Sequence, residues 1–157
     1  MKWRRRLFYS YIVLLLLIVI VKFTGSITDL MDTIEVNKFR AQNGFIRINL
    51  VPFQSIKLIL NSIPQSWALR NIVGNLIPFM PFGFLLPYAF PKTRHAIKVF
   101  IIGIISIFLV EVLQFKCYLG SFDVDDILLN MIGIMGGYMS YTKIYQRMYH
   151  RTATKNS

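Results

Sequence analysis

Cysteine is nearly missing from this chain. The single Cys117 excludes an internal disulfide, and with it any metal site built on several cysteines. Histidine is almost as scarce: His95 and His150 both fall on the side of the expected bundle opposite the acid cluster, so neither can serve that cluster as a base. There is no serine-histidine constellation, no glycine-rich phosphate loop, no internal repeat and no low-complexity tract. These gaps remove the common hydrolase and nucleotide-binding designs. Acids are few as well, seven against eighteen Lys and Arg.

Long apolar runs are abundant instead. Apolar types make up 55% of the chain and charged types 16%, with a mean hydropathy of +0.52. The runs are too many for one water-soluble core, which implies a small polytopic membrane protein, a single domain over residues 1–157. A net charge of +11 would elsewhere suggest nucleic acid. Here the basic residues stand beside the apolar runs, the pattern of topology signals and headgroup contacts, so no nucleic-acid partner is expected.

A helix needs about 20 largely apolar residues to cross the hydrocarbon. Four segments approach that length, at about 7–23, 70–90, 96–115 and 124–142, and predict an all-α membrane protein with four transmembrane helices. The first follows a basic start, but its apolar run outlasts the core of about 7–15 residues of a cleavable signal, so a retained span is expected. The second contains Pro78, Pro81 and Pro87, which predict a kinked or broken helix because each ring removes a donor and crowds the preceding turn. Between the first two spans, residues 45–64 are too short and too polar to cross. They read as a short interfacial helix in an outer loop, with Asn49-Leu50-Val51-Pro52-Phe53 as the turn before it. The tail RTATKNS reads as disordered.

Orientation follows from the cations near the span ends. Lys2, Arg4, Arg5, Arg6, Lys92, Arg94, Lys98, Lys143, Arg147, Arg151 and Lys155 fall on one side of such a bundle. The expected location is the cell membrane, multi-pass, with both termini cytoplasmic and residues 24–69 and 116–123 outside.

Depth then gathers the unusual polar residues. Asn71 and Asn75 lie in the outer half of the second span, Glu111 and Gln114 near the outer end of the third, and Asp123, Asp125 and Asp126 open the fourth. At 100° per residue, Asp126, Asn130, Gly133 and Gly137 share one stripe about 60° wide. Asn75, Glu111, Gln114, Asp123, Asp126 and Asn130 are therefore the candidate pocket, in the outer leaflet. Plainer readings stand beside it. Asp123 suits an N-cap and Asp125 a first helical turn, the amides suit interhelical hydrogen bonds, and Gly133 with Gly137 suits close helix packing, within the chain or in a homodimer. Glu111 resists a plain reading, since an acid at bilayer-centre depth costs about 2.5–3.5 kcal/mol.

Three stretches carry a family likeness: RNIVGNLIPFMPFGFLLP, then EVLQF, then GSFDVDDILLNMIGIMGGY. They resemble the VanZ-like family, small membrane proteins named for a teicoplanin-resistance determinant of Gram-positive bacteria. The family pattern falls on Asn75, Phe79, Pro81, Gly83, Glu111, Gln114, Asp123, Asp126, Asn130 and Gly133 in order, and residues 49–53 are similar to a further family segment; the family-like core is 49–142. The chain departs from the pattern at Pro78, and before Asp123, where many relatives have a basic residue that Arg70 or Lys116 would have to replace.

The resemblance implies an envelope protein that lowers susceptibility to a lipoglycopeptide antibiotic at the outer face of the membrane. On this reading the pocket binds a membrane lipid headgroup or a lipid-linked cell-wall precursor, with no cofactor and no metal. An alternative is an intramembrane enzyme on a lipid-linked substrate, in which Asp123 and Asp126, with Glu111 opposite, provide an acid/base pair or hold a divalent cation. Transport is disfavoured because the inner halves of the spans offer no polar route.

Overall fold

The computed structural model describes residues 2–21, 27–45, 48–63 and 65–155, without the side chains of Val21, Ile27, Trp67, Arg70 and residues 148–155. Among the described residues six α-helices follow one another: α1 Lys2–Val21, α2 Ile27–Gln42, α3 Gln54–Asn61, α4 Ser66–Ala89, α5 Ala96–Lys116 and α6 Val124–Lys155. Two-residue strands, β1 Ile48–Asn49 and β2 Phe122–Asp123, pair in parallel, and a 3-10 turn at Pro91–Thr93 joins α4 to α5.

The all-helical expectation holds. Among the described residues two helical stretches, Asn71–Ala89 and Ala96–Lys116, are long and apolar enough to cross a membrane. The apolar run of α1 is preceded by Lys2, Arg4, Arg5 and Arg6 within the same helix, and α6 has polar residues at both ends of its run.

The centre of the bundle is α4 against α6, with α1 and α5 on the flanks. Three glycines set how closely α4 and α6 approach. A Cβ at Gly137 would fall on the Met80 carbonyl oxygen, one at Gly133 on that of Leu76, and one at Gly83 on that of Ile134. Backbone thus meets backbone directly, the arrangement small residues permit between apolar helices. The sequence marked Gly133 and Gly137; Gly83 completes the contact from the other side. On α5, Gly103 seats the side chains of Met131 and Ile134.

The prolines do not interrupt the second long helix, which runs from Ser66 to Ala89 as one element. Neighbours clamp it from both sides. From α1, Phe8, Tyr11, Leu15 and Val19 pack into the core, and the Tyr11 hydroxyl donates to the Pro78 carbonyl oxygen at 2.6 Å. That packing makes α1 part of the fold.

The segment between α1 and α4 contains more helix than expected. Beyond the short helix anticipated there, now α3, it contains α2, with Asp29 in its first turn and Arg40 in its last, each favouring the helix dipole. Acids and bases mixed among few apolar residues hid it. The expected loop residues 22–26 lie outside the described residues. At the other terminus, where a disordered tail was expected, α6 stays helical to Lys155.

Candidate functional site

The candidate residues divide into two neighbouring groups. The first surrounds Asp123 and Asp125, where α6 begins. Asp123 caps α6, accepting from the Asp125 backbone N–H at 2.9 Å, as its position implied. The same carboxylate accepts from the Ser55 hydroxyl at 2.5 Å and from Asn49 Nδ2 at 3.1 Å. Asn49 in turn donates to Ser55 Oγ at 3.0 Å and accepts from the Val51 N–H at 3.1 Å, closing the turn.

Asp125 does something its position in a first helical turn did not suggest. Fully buried, its carboxylate accepts from the backbone N–H groups of Phe53 at 2.6 Å, Ser55 at 2.8 Å and Ile56 at 3.1 Å. These are donors at the start of α3, so the acid at the start of one helix satisfies the open end of another. Phe53 adopts the left-handed conformation, φ 66°, to turn them inward. That conformation is costly for a bulky residue, and three charge-assisted hydrogen bonds hold it there.

The second group lies between the long helices. Asn75, buried on α4, donates through Nδ2 to Asp126 Oδ1 at 2.5 Å and to Asn71 Oδ1 at 2.9 Å. The amide face of one helix and the acid of another, separated by 51 residues in sequence, are thereby joined. Glu111 and Gln114 are buried on α5 along the same face as Val99, Gly103 and Ile107. From the Gly103 contact with Met131 and Ile134, eight residues of helix rise about 12 Å, which brings Glu111 level with the first turn of the antiparallel α6. Asn130, one turn below Asp126, is 2% exposed, and its Oδ1 has no hydrogen-bond partner.

Two of the cavities near this end bear on the candidate residues. One, of about 690 Å³, lies between α3 and the strand pair; Asn49, Gln54, Ser55, Asn61, Ser121 and Asp123 face it. Of the six residues marked from the sequence, only Asp123 borders that cleft; Asn75, Glu111, Gln114 and Asn130 are buried between helices, with Asp126 partly so. The other cavity, about 300 Å³, lies where α2 meets the end of α5, between Asn37, Phe45, Phe115 and Lys116. There Asn37 donates to the Tyr118 carbonyl oxygen at 2.8 Å, and Tyr118 is left-handed, φ 59°.

Sequence reasoning missed Ser55 and gave Asn49 only a turn. Their spacing of six residues across Pro52 has no helical or strand period, so no pattern flagged them. Of the two proposed basic substitutes, the Arg70 side chain lies outside the described residues, and Lys116 is exposed at the second cavity. Chemically, the end of the bundle offers carboxylates, amides and hydroxyls in two layers, an open one over a buried one. Among the described residues no group of three or more His, Cys, Asp or Glu is arranged to hold a metal ion.

A family model described as VanZ/LLP1 matches residues 8–146. No curated protein and no solved structure matches the chain.

Proposed function

The chain belongs to the VanZ/LLP1 family, and from that premise we propose that it is a multi-pass protein of the bacterial cell membrane whose outer polar layers bind a lipid headgroup or a lipid-linked cell-wall precursor. In this reading α1, α4, α5 and the first part of α6 are the four spans, and both termini are cytoplasmic. The exterior of the bundle supports it. Val13, Leu14 and Leu17 on α1, and Ile101, Ile105, Phe108, Leu109 and Leu113 on α5, are exposed and nearly unbroken by polar groups, an apolar surface that hydrocarbon tolerates and water does not.

The observation that carries the ligand is Asn130. Its buried amide oxygen lacks a donor, and an unmet buried polar group costs about 1–3 kcal/mol. A hydroxyl or ammonium of a headgroup, entering from the cleft above Asp123, would donate to it and to the Asp126 and Glu111 carboxylates. Holding such a precursor would limit access of a lipoglycopeptide to it, giving low-level teicoplanin resistance. Expression in a susceptible Gram-positive host tests this. A raised inhibitory concentration for teicoplanin, greater than for vancomycin, is expected; no change for either drug, with the protein found in the membrane, would refute the resistance role.

The enzymatic alternative has less support. Of its carboxylate pair, Asp123 already accepts from Ser55, Asn49 and the α6 backbone, and Asp126 accepts from Asn75, so both are engaged in holding the fold.

A further inference from the structure

At the opposite end of the bundle, cations and phenols gather with no acidic side chain among them. All seven acids of the chain lie within 29–35 or 111–126. The guanidinium groups at the other end rest on aromatic rings instead: Arg4 is 4.5 Å from the Tyr88 centroid, Arg5 5.5 Å from Phe90 and Arg94 4.6 Å from Tyr145. A topology signal asks only that cations stand in the loops. Arg94 is held more closely than that. Its carbonyl oxygen accepts from the Tyr138 hydroxyl at 2.8 Å, and its Nη1 donates to the Tyr145 hydroxyl at 3.1 Å. Among the described residues no acceptor is placed for its buried Nε or for the hydroxyl of Tyr141, a residue 5% exposed. The Tyr141 ring is fixed by a stack on Tyr145 at 5.8 Å and an edge contact with Phe84 at 5.9 Å. Arg94 lies within reach of that hydroxyl as a donor, and Arg4 approaches from Tyr88, whose ring is 6.3 Å from Phe84.

A guanidinium N–H and a phenol O–H packed this way lack an acceptor, and two positive charges lack a counter-charge. A phosphate group supplies both, since its oxygens accept several hydrogen bonds and match the planar fork of arginine. We propose that Arg94, Tyr141 and Arg4 form a binding site for a phosphate group, carried by an anionic lipid headgroup or by a soluble phosphoryl compound. The site is separate from the outer layers. Its lipid source rests on the membrane reading above, whereas its soluble source does not.

Trp3 provides the reporter, because it stands edge-on to Tyr88 at 5.8 Å with Arg4 5.9 Å from its ring. The full chain carrying Trp67→Phe, in a neutral detergent, is titrated with phosphatidylglycerol, phosphatidylcholine and glycerol 1-phosphate while Trp3 fluorescence is followed. A saturable response is expected, at least tenfold tighter for phosphatidylglycerol or glycerol 1-phosphate than for phosphatidylcholine. Tyr141→Phe, which keeps both ring contacts, and Arg94→Lys should each weaken it at least fivefold. Arg147→Gln, which removes one exposed charge from the same end, should change it less than twofold. Response to glycerol 1-phosphate as strong as to the lipid assigns the soluble source, and response to phosphatidylglycerol alone assigns the headgroup. Equal losses in all three variants, an unaffected Tyr141→Phe with unchanged circular dichroism, or no saturable response would each overturn the site.

Discussion

Replacing Asp125 with alanine removes one side chain and strands three backbone donors. The N–H groups of Phe53, Ser55 and Ile56 would lose their acceptor, and Phe53 would lose what holds its left-handed conformation. A hydrogen bond to a charged group contributes about 1.5–3 kcal/mol, and a buried donor left unmet costs about 1–3 kcal/mol. The three costs do not add fully, because α3 has only eight residues and one buried side chain, Ile59, so it can swing into solvent once released. The loss should therefore level off at about 3–5 kcal/mol, as when one partner of a buried charge pair is removed. Asp125→Asn keeps one acceptor oxygen and should lose about half as much. The control is Asp32→Ala on α2, an exposed acid whose loss should stay within about 0.5 kcal/mol. Thermal unfolding in detergent gives the ranking, and amide hydrogen exchange at Phe53, Ser55 and Ile56 localises it. If Asp125→Ala unfolds at the temperature of Asp32→Ala and leaves those three amides protected, Asp125 does not tether α3.

Three further outcomes follow from the packing and the topology. Gly137→Ala places a methyl on the Met80 carbonyl oxygen and should cost about 1–3 kcal/mol or more, whereas at the adjacent Gly136 a Cβ meets only Met80 Cε at 3.9 Å, so Gly136→Ala should be nearly neutral; equal melting temperatures would contradict the close approach of α4 and α6. Tyr11→Phe deletes the hydrogen bond to the Pro78 carbonyl oxygen and should lower stability by about 1 kcal/mol in the same unfolding assay; an unchanged midpoint would show that α1 holds α4 by apolar contact alone. Cys117 is the only cysteine and is exposed, so a membrane-impermeant maleimide should label it in intact cells, and Lys155→Cys on a Cys117→Ser background only after lysis; the reverse pattern would invert the topology.

The long helices were legible because their apolar runs are long and bounded by charge. α5 occupies Ala96–Lys116 where 96–115 was expected. The glycine stripe on α6 was legible from helical periodicity alone, and Asp126 with Asn75 from depth, although only the fold joins them at 2.5 Å. What stayed hidden depends on tertiary contact. The prolines of α4 argued for a kink or a break, and of the two the break is absent, with α1 and α6 packed along the continuous helix. α2 has too few apolar residues for its period to stand out. Asp125 read as a helix-start acid, and nothing in its own helix shows that it serves the start of α3. Ser55 joins Asp123 through a turn with no repeat, which no spacing rule detects.

The most direct measurement is of the lipid that stays with the protein. Asp126→Asn keeps an oxygen to accept from Asn75, so the contact between α4 and α6 survives while the carboxylate charge is lost. Wild type, Asp126→Asn and Glu111→Gln are purified in the same mild detergent, and their bound lipids are compared by mass spectrometry. A headgroup site requires one lipid or lipid-linked precursor to be enriched with the wild type and depleted at least severalfold in both variants. Identical lipid profiles in three equally folded proteins would contradict it, and would leave Asp126, Glu111 and Asn130 as groups that only pack helices together.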